Sequence, residues 1–306
     1  MKTVLINPGK GWSWRQRAGI NFLVLEALEQ TGLVRHGFSA RRGGVSQAGY
    51  SSLNLGLHVG DDPRLVLENR CRFASALGVT SRDLVIPAQV HGDQVGVVGR
   101  AQAGFGANDL ETAVPGVDAL ITQEPELPLC TFYADCVPIF LFDPVRRVIG
   151  LAHAGWKGTV QKIGTRTLQR MQEVFGSKPE DCLAGIGPSI GPCCYEVDQP
   201  VIRQVLAAFP DSNKLLTEAA VGNYSTVQLA LLDNGFRENR ANLDLWAANQ
   251  LTLLKGGILP QNIWLAGICT RCHQELFFSY RGANGQPTGR MGAVISLRID
   301  STPVAS

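Results

Sequence analysis

Between residues 118 and 153 the chain offers four strand-like segments in close succession, and this run restricts the fold more than any other feature. Residues 118–122, 129–133, 137–142 and 147–153 are apolar runs, the last two joined by a turn at Asp143-Pro144. A helical pattern follows over 157–175, where Val160, Ile163, Leu168, Met171 and Val174 recur at three- to five-residue intervals and Gly176 is the stop. Further helices are expected over 62–77, with Pro63 near the start, Leu67, Cys71, Ala74 and Leu77 on its apolar side and Gly78 at its end, and over 199–209 and 244–255. Additional strands are expected over 84–90, 95–98, 183–186, 263–268, 277–280 and 291–298. Residues 21–33 fit either a strand or a short helix. Helices and strands mix without a regular βα alternation or an internal repeat. The expected class is therefore α+β, a single-domain layered mixed α/β sandwich.

The 306 residues are 45% hydrophobic and 18% charged, enough to build a substantial core. A net charge of +2 without long charge runs gives no sign of a nucleic-acid surface or a polybasic membrane patch. No window approaches the ~18 apolar residues of a membrane span. The first 17 residues lack the apolar stretch of a signal peptide. The expected location is cytoplasmic, where the eight cysteines are mostly reduced. Cys269 and Cys272 form one CxxC, and Cys193 and Cys194 are adjacent, but the spacing is irregular and buried, inert thiols are expected there.

The chemistry concentrates in three short segments. Gln89-Val90-His91-Gly92, Ala134-Asp135-Cys136-Val137-Pro138 and His153-Ala154-Gly155-Trp156-Lys157-Gly158 each place a thiol or an imidazole among small residues where a loop meets a strand or helix. His91, Cys136 and His153 make three N/S ligands with a fourth position open, the pattern of a catalytic zinc or copper site. Spacing alone equally permits a core cysteine and two hydrogen-bonded histidines. It also permits a metal-free pair in which Cys136 is nucleophile and His153 its base. Asp135 is a candidate to orient a ligand or relay a proton, or simply a strand-start carboxylate. Arg41-Arg42-Gly43-Gly44 could hold an anion or be a surface turn, and Lys157-Gly158 offers positive charge ahead of a helix. Arg281 and Arg290 are open to structural ion pairing or substrate binding. No GxGxxG or Walker A sequence occurs.

These segments belong to a longer ordered series. It includes Phe38-Ser39-Ala40-Arg41, Ser52-Leu53-Asn54-Leu55-Gly56 with His58-Val59-Gly60-Asp61, and Gly187-Pro188-Ser189-Ile190-Gly191 with Cys194-Tyr195-Glu196-Val197. It continues through Asp244-Leu245-Trp246, Cys269-Thr270 and Thr288-Gly289-Arg290. From about residue 35 to the end, the chain resembles the YfiH-type proteins, described as laccase-like multicopper polyphenol oxidases and as purine nucleoside phosphorylases of the FAMIN type. Residues 1–34 lie mostly outside the likeness and are expected as an N-terminal extension packed on a catalytic domain of residues 35–306.

The resemblance implies a metal site at His91, Cys136 and His153, holding Zn2+ with Cu2+ as the alternative. It implies a fold similar to the catalytic domain of cytotoxic necrotizing factor. It also implies phosphorolysis of purine nucleosides, methylthioadenosine included, and deamination of adenosine. By that analogy phosphate attacks C1′ of the ribose as the base leaves, and water attacks C6 in deamination with release of ammonia. Cys136, Asp135 and Arg41 are the expected catalytic residues. Arg41, Asn54, Lys157 and Arg290 are the expected substrate-binding set, with purine nucleosides and phosphate as partners and the protein a monomer or weak homo-oligomer. The family pattern usually has Thr where this chain has Ala40.

Three rival functions remain. A phenol oxidase with copper would need a His-rich trinuclear cluster that five histidines can hardly supply. A Cys136/His153 amidase acting on cell-wall precursors would need no metal. A non-catalytic metal-binding protein would turn over nothing.

Overall fold

The computed structural model describes residues 5–210 and 240–299. Among the described residues, thirteen strands run in chain order. They are β1 (Trp12–Arg17), β2 (Ile20–Leu25), β3 (Val34–Ser39), β4 (Val95–Val97), β5 (Ala119–Thr122), β6 (Leu129–Tyr133), β7 (Val137–Asp143), β8 (Val148–Ala154), β9 (Leu183–Ile186), β10 (Glu196–Asp198), β11 (Arg240–Asn242), β12 (Ile263–Leu265) and β13 (Met291–Leu297). The helices are α1 (Glu26–Gln30), α2 (Pro63–Leu77), α3 (Trp156–Val160), α4 (Ile163–Phe175), α5 (Gln199–Ala208) and α6 (Leu245–Lys255). None of the described helices is long and apolar enough to cross a membrane.

Two sheets carry the structure. One is antiparallel, in the order β1-β2-β3-β13-β6. The other is mixed, in the order β12-β9-β7-β8-β5-β4, with parallel pairs at both edges. Successive side chains of a strand face opposite sides, and β7 shows what each side meets. Phe140 and Phe142 point into a core shared with Leu23, Phe38 and Ile295 of the first sheet. Ile139 and Leu141 point the other way, against Ile163, Leu168 and Met171 of α4 and Leu251 and Leu253 of α6. On the far side of the first sheet, Phe22, Val24, Phe132 and Val294 meet Phe73, Ala76 and Leu77 of α2. The result is four layers: α2, sheet, sheet, then α4 and α6. Strands covered on both faces read as continuous apolar runs, which is why residues 118–153 stand out in the sequence.

Several expectations need correction. The helical pattern over 157–175 is two helices, broken at Lys162, whose φ of 63° is left-handed. Residues 84–90 make only isolated bridges, Val85 to Leu129 and Pro87 to Val114, because the prolyl nitrogen has no proton for a ladder. Residues 277–280 are turn rather than strand: Phe277 and Phe278 are plugs in the core, Phe277 stacked on Trp14 at 6.0 Å. The buried side of α2 runs through Val66, Arg70, Phe73 and Leu77 and leaves Cys71 exposed. Arg70 can be buried because its guanidinium donates to the carbonyls of Leu55, Gly106 and Ala107. Residues 21–33 contain both alternatives, the end of β2 and then α1. The stretch before residue 35 also supplies β1 and β2, so it is built into the first sheet through β2 pairing with β3.

Candidate active site

The four-layer arrangement brings the ends of β6 and β8 and the start of β7 together at one edge. His153 lies near the end of β8, opposite Pro138 of β7. Cys136 sits in the tight connection between β6 and β7, just after Asp135, whose φ of 90° is left-handed. His91 lies on the loop before β4, also left-handed at φ 61°, as is Gln89 at 54°. Such conformations cost about 1–3 kcal/mol each and persist only where surroundings enforce them. Here the enforcement is visible. The Gln89 side chain donates to the Phe132 carbonyl and accepts the Phe132 N–H, pinning the loop to β6.

Asp118 organises the rest. Its fully buried carboxylate accepts the N–H of His91 at 2.9 Å, the N–H of Gly92 at 2.7 Å and Nδ1–H of His153 at 2.9 Å. Burial pushes this carboxyl up, but the bonds from His153, Gly92 and His91 outweigh it and leave Asp118 below the ordinary carboxylate range. An ionised carboxylate only accepts, so the His153 proton on Nδ1 faces Asp118 and leaves Nε2 as the free donor atom. A carboxylate that holds Nδ1–H in this way orients a histidine whose Nε2 binds a metal.

One ligand atom each from His91, Cys136 and His153 falls within 4.8 Å of the other two, with Cys136 Sγ 4.0 Å from His91 Nε2. The two imidazole rings stand nearly perpendicular, 4.9 Å apart. Burial raises the Cys136 thiol, yet His153 and His91 bring it down to about 6. Burial lowers His153, yet Cys136 and Asp118 raise it to about 9. Each group therefore favours the charged form of the other, and a metal ion held by both would take the place of the proton on His153 Nε2. A Cβ on Gly155 would lie 3.1 Å from His91 Cδ2 and 3.2 Å from Cys136 Sγ, so the small residue keeps the space between the donors clear. The donor set, its spacing and the oriented His153 fit a zinc ion.

The trio lines a cavity of about 520 Å3, within the size range of small-molecule sites. Ile86, Leu110 and Phe132 give it an apolar wall, while His58, Tyr280 and Arg290 add polar groups. Of the remaining expected residues, Arg290 lines this cavity. Arg41 faces a separate depression with Arg42 and Ser51, where its guanidinium donates to the carbonyls of Ser51 and Gln274 and covers the Phe278 ring. Asn54 is buried, and its Oδ1 accepts the N–H of Arg290 at 2.9 Å, so it meets the cavity through Arg290. Asp135 accepts the Thr270 hydroxyl at 2.7 Å and the Arg281 N–H at 2.6 Å. Lys157 is exposed beside Trp156.

Asp118, His58 and Tyr280 were not singled out for a role from sequence. Asp118 looks like any strand-start residue until the fold folds His91, Gly92 and His153 around it. The cysteines also depart from expectation: Cys193 and Cys272 are exposed, not buried, and they cluster with Cys194 and Cys269.

The family model described as "Multi-copper polyphenol oxidoreductase laccase" matches residues 35–298. The chain is 39% identical to a protein of Geobacillus stearothermophilus named purine nucleoside phosphorylase YlmD, covering 87% of this chain and 91% of that one. It is 35% identical to adenosine deaminase RL5 from an unknown prokaryotic organism, covering 80% and 87%. The crystal structure of YlmD from Geobacillus stearothermophilus superposes with a TM-score of 0.80 at 36% identity, covering 94% of this chain and 99% of that one.

Proposed function

The chain belongs to the multi-copper polyphenol oxidoreductase laccase family, and from that premise we propose that it is a purine nucleoside phosphorylase, with adenosine deaminase and methylthioadenosine phosphorylase activity at the same site. The observation that carries this reading is the convergence of His91, Cys136 and His153 on a cavity whose lining also has apolar side chains and an arginine. The names of the relatives support the substrate class. The proposed setting is cytoplasmic, with the protein a monomer or weak homo-oligomer.

In this reading His91, Cys136 and His153 hold zinc, copper being the alternative, and the bound ion supplies a Lewis acid in the cavity. The chain's own residues do the rest. Ile86, Leu110 and Phe132 take the flat base out of water, and Tyr280 offers a ring at the rim. Arg290 spends one nitrogen on the carbonyls of Thr288 and Gly289, which fixes its plane, and turns its other N–H groups to phosphate. A phosphate oxygen bonds to C1′, the bond from C1′ to the base nitrogen breaks, and that nitrogen takes up the proton that hydrogen phosphate gives up on becoming the sugar phosphate ester. We assign the phosphate grip to Arg290 rather than Arg41 because only Arg290 lines the cavity. Asp135 serves as a positioning residue: Thr270 and Arg281 hold its carboxylate, and that fixes the turn presenting Cys136.

The histidine inventory speaks against a multicopper oxidase. His58, His91 and His153 line the cavity, His36 is buried between the sheets, and His273 sits beside Glu275. No His-rich trinuclear cluster can be drawn from these five. The contact between Cys136 and His91, with His153 adjacent, favours one second reading, a Cys/His amidase. A kinship with the catalytic domain of cytotoxic necrotizing factor would belong to that reading.

The deciding experiment follows adenosine and inosine by chromatography, with and without phosphate, on wild type and Cys136→Ala. Phosphate-dependent release of free base, lost in the variant, is expected. No release from any nucleoside, with amide cleavage that survives chelation, would replace this reading by the amidase. Within the phosphorylase reading, Arg290→Ala should raise the phosphate KM at least tenfold, about 1.4 kcal/mol or more of lost binding, while leaving the nucleoside KM within a few-fold. A phosphate KM unchanged in Arg290→Ala would remove Arg290 from the phosphate site.

A further inference from the structure

A second group of donors lies outside the cavity. Cys193 and Cys194 follow β9 on one loop, and Cys269 and Cys272 follow β12 on another. β9 and β12 are parallel neighbours, so both loops leave the sheet at the same end. They stay together beyond it. Ser189 and Cys269 form a parallel bridge, Ser189 N–H donates to the Ile268 carbonyl at 3.2 Å, and Thr270 N–H donates to the Ser189 carbonyl at 3.1 Å. This pairing brings two cysteines from each loop to one point. Their four sulfurs all lie within 4.8 Å of one another. Cys272 Sγ is 3.6 Å from Cys193 Sγ and 3.4 Å from Cys194 Sγ.

These separations describe a metal site better than a disulfide. A tetrahedron with zinc–sulfur bonds of about 2.3 Å has edges of about 3.8 Å, whereas a disulfide needs about 2.05 Å. The groups around the sulfurs agree. Gly191 N–H donates to Cys269 Sγ at 3.3 Å, the kind of bond that holds a ligating thiolate in place. Four thiolates around a divalent zinc leave a net charge of −2, and Arg271 lies against this corner, donating to the Cys194 carbonyl at 3.1 Å. An all-thiolate, four-ligand set leaves no open position, which is the structural rather than the catalytic form of zinc binding.

We propose that Cys193, Cys194, Cys269 and Cys272 form a structural zinc site that staples the loop after β9 to the loop after β12. The staple has a purpose legible in the contacts. The loop after β9 donates Ile190 N–H to the Asp135 carbonyl, and the loop after β12 supplies Thr270 and Arg281 to the Asp135 carboxylate. Both loops therefore brace the turn that presents Cys136. The centre is independent of the chemistry proposed for the cavity, since it shares no ligand with His91, Cys136 and His153.

The test uses the full chain, purified under reducing conditions and equilibrated with zinc or cobalt. Cys136→Ala should retain one tightly held zinc, and its cobalt form should show the intense thiolate-to-metal bands of a tetrahedral four-sulfur centre. The double variant Cys193→Ser/Cys272→Ser should lose that spectrum and one zinc equivalent relative to wild type, with a lower thermal midpoint. Because the readout is made without the cavity cysteine, failure of the catalytic metal reading leaves it unchanged. If the double variant does not fold, the cobalt spectrum of Cys136→Ala decides alone. A Cys136→Ala chain that holds no zinc and gives only the weak bands of octahedral cobalt overturns the proposal. So does peptide mapping that finds Cys272 in a disulfide with Cys193 or Cys194.

Discussion

At the scale of single residues, Asp118 holds more of the site together than any donor atom does. It fixes the backbone of His91 and Gly92 and the tautomer of His153 with one carboxylate. Asp118→Asn keeps the size but puts an NH2 group against one of these three donors. The His153 ring loses its orientation, or the loop at 91–92 loses a bond. Outer-shell changes of this kind cost about 10–100-fold in metal affinity. A zinc competition titration should therefore find Asp118→Asn weaker by that factor, while its circular dichroism stays native. Affinity equal to wild type would mean that the cavity trio does not depend on the Asp118 carboxylate. The ligating candidates themselves were legible in sequence because Cys136 and His153 sit in short, unusual segments among small residues. Asp118 was not, since its role exists only once three separated segments meet around it.

At the scale of elements, the break between α3 and α4 is instructive. Apolar spacing over 157–175 is continuous across it, so the pattern alone joins the two helices. What interrupts them is backbone conformation at exposed Lys162, with φ at 63°. A left-handed non-glycine residue costs about 1–2 kcal/mol, and glycine returns about 0.5–1 kcal/mol of that through its looser unfolded chain. Lys162→Gly should therefore stabilise the protein by about 0.5–1 kcal/mol, read as a higher urea midpoint at unchanged slope. A destabilised variant would show that the lysine side chain contributes more than its backbone costs. Elsewhere, elements with matched caps were readable to within one residue. In α2 Asp62 accepts the N–H of Arg64, Pro63 follows, and Gly78 closes the helix at φ 72°. The segment at 277–280 was misread because two buried phenylalanines in a turn have the composition of a strand. The covered face of α2 was read in part: Ala74 and Leu77 are buried as expected, but Arg70 looks like a solvent residue until its carbonyl partners are known.

At the scale of the whole molecule, the interface between the two sheets buries a group that opposes folding in acid. His36 of β3 is buried there, its ring edge-on to Phe140 at 6.0 Å, and Nε2 accepts the Leu25 N–H at 2.8 Å. Burial holds its pKa down at about 4 against an ordinary 6.5. The unfolded chain therefore binds a proton between those values that the folded chain refuses. Stability is full above pH 6.5, falls as pH drops toward 4, and changes no further on this account below it; the span is worth about 3 kcal/mol. His36→Gln, which keeps an acceptor for Leu25, should flatten the loss between pH 6.5 and 4 in denaturant titrations. An unaltered slope would assign the acid sensitivity to other groups.

The order of strands in the first sheet carries a further consequence. β13 lies between β3 and β6, so the strand made last among those described fills the middle of the sheet. While the ribosome still holds residues 291–297, β3 and β6 each present a bare edge and no partner joins them. The nascent chain is then two unsealed halves, with the aromatic layer between the sheets open to water. Completion of the sheet has to wait until β13 has emerged, and until then the two edges stay open to any other strand that meets them.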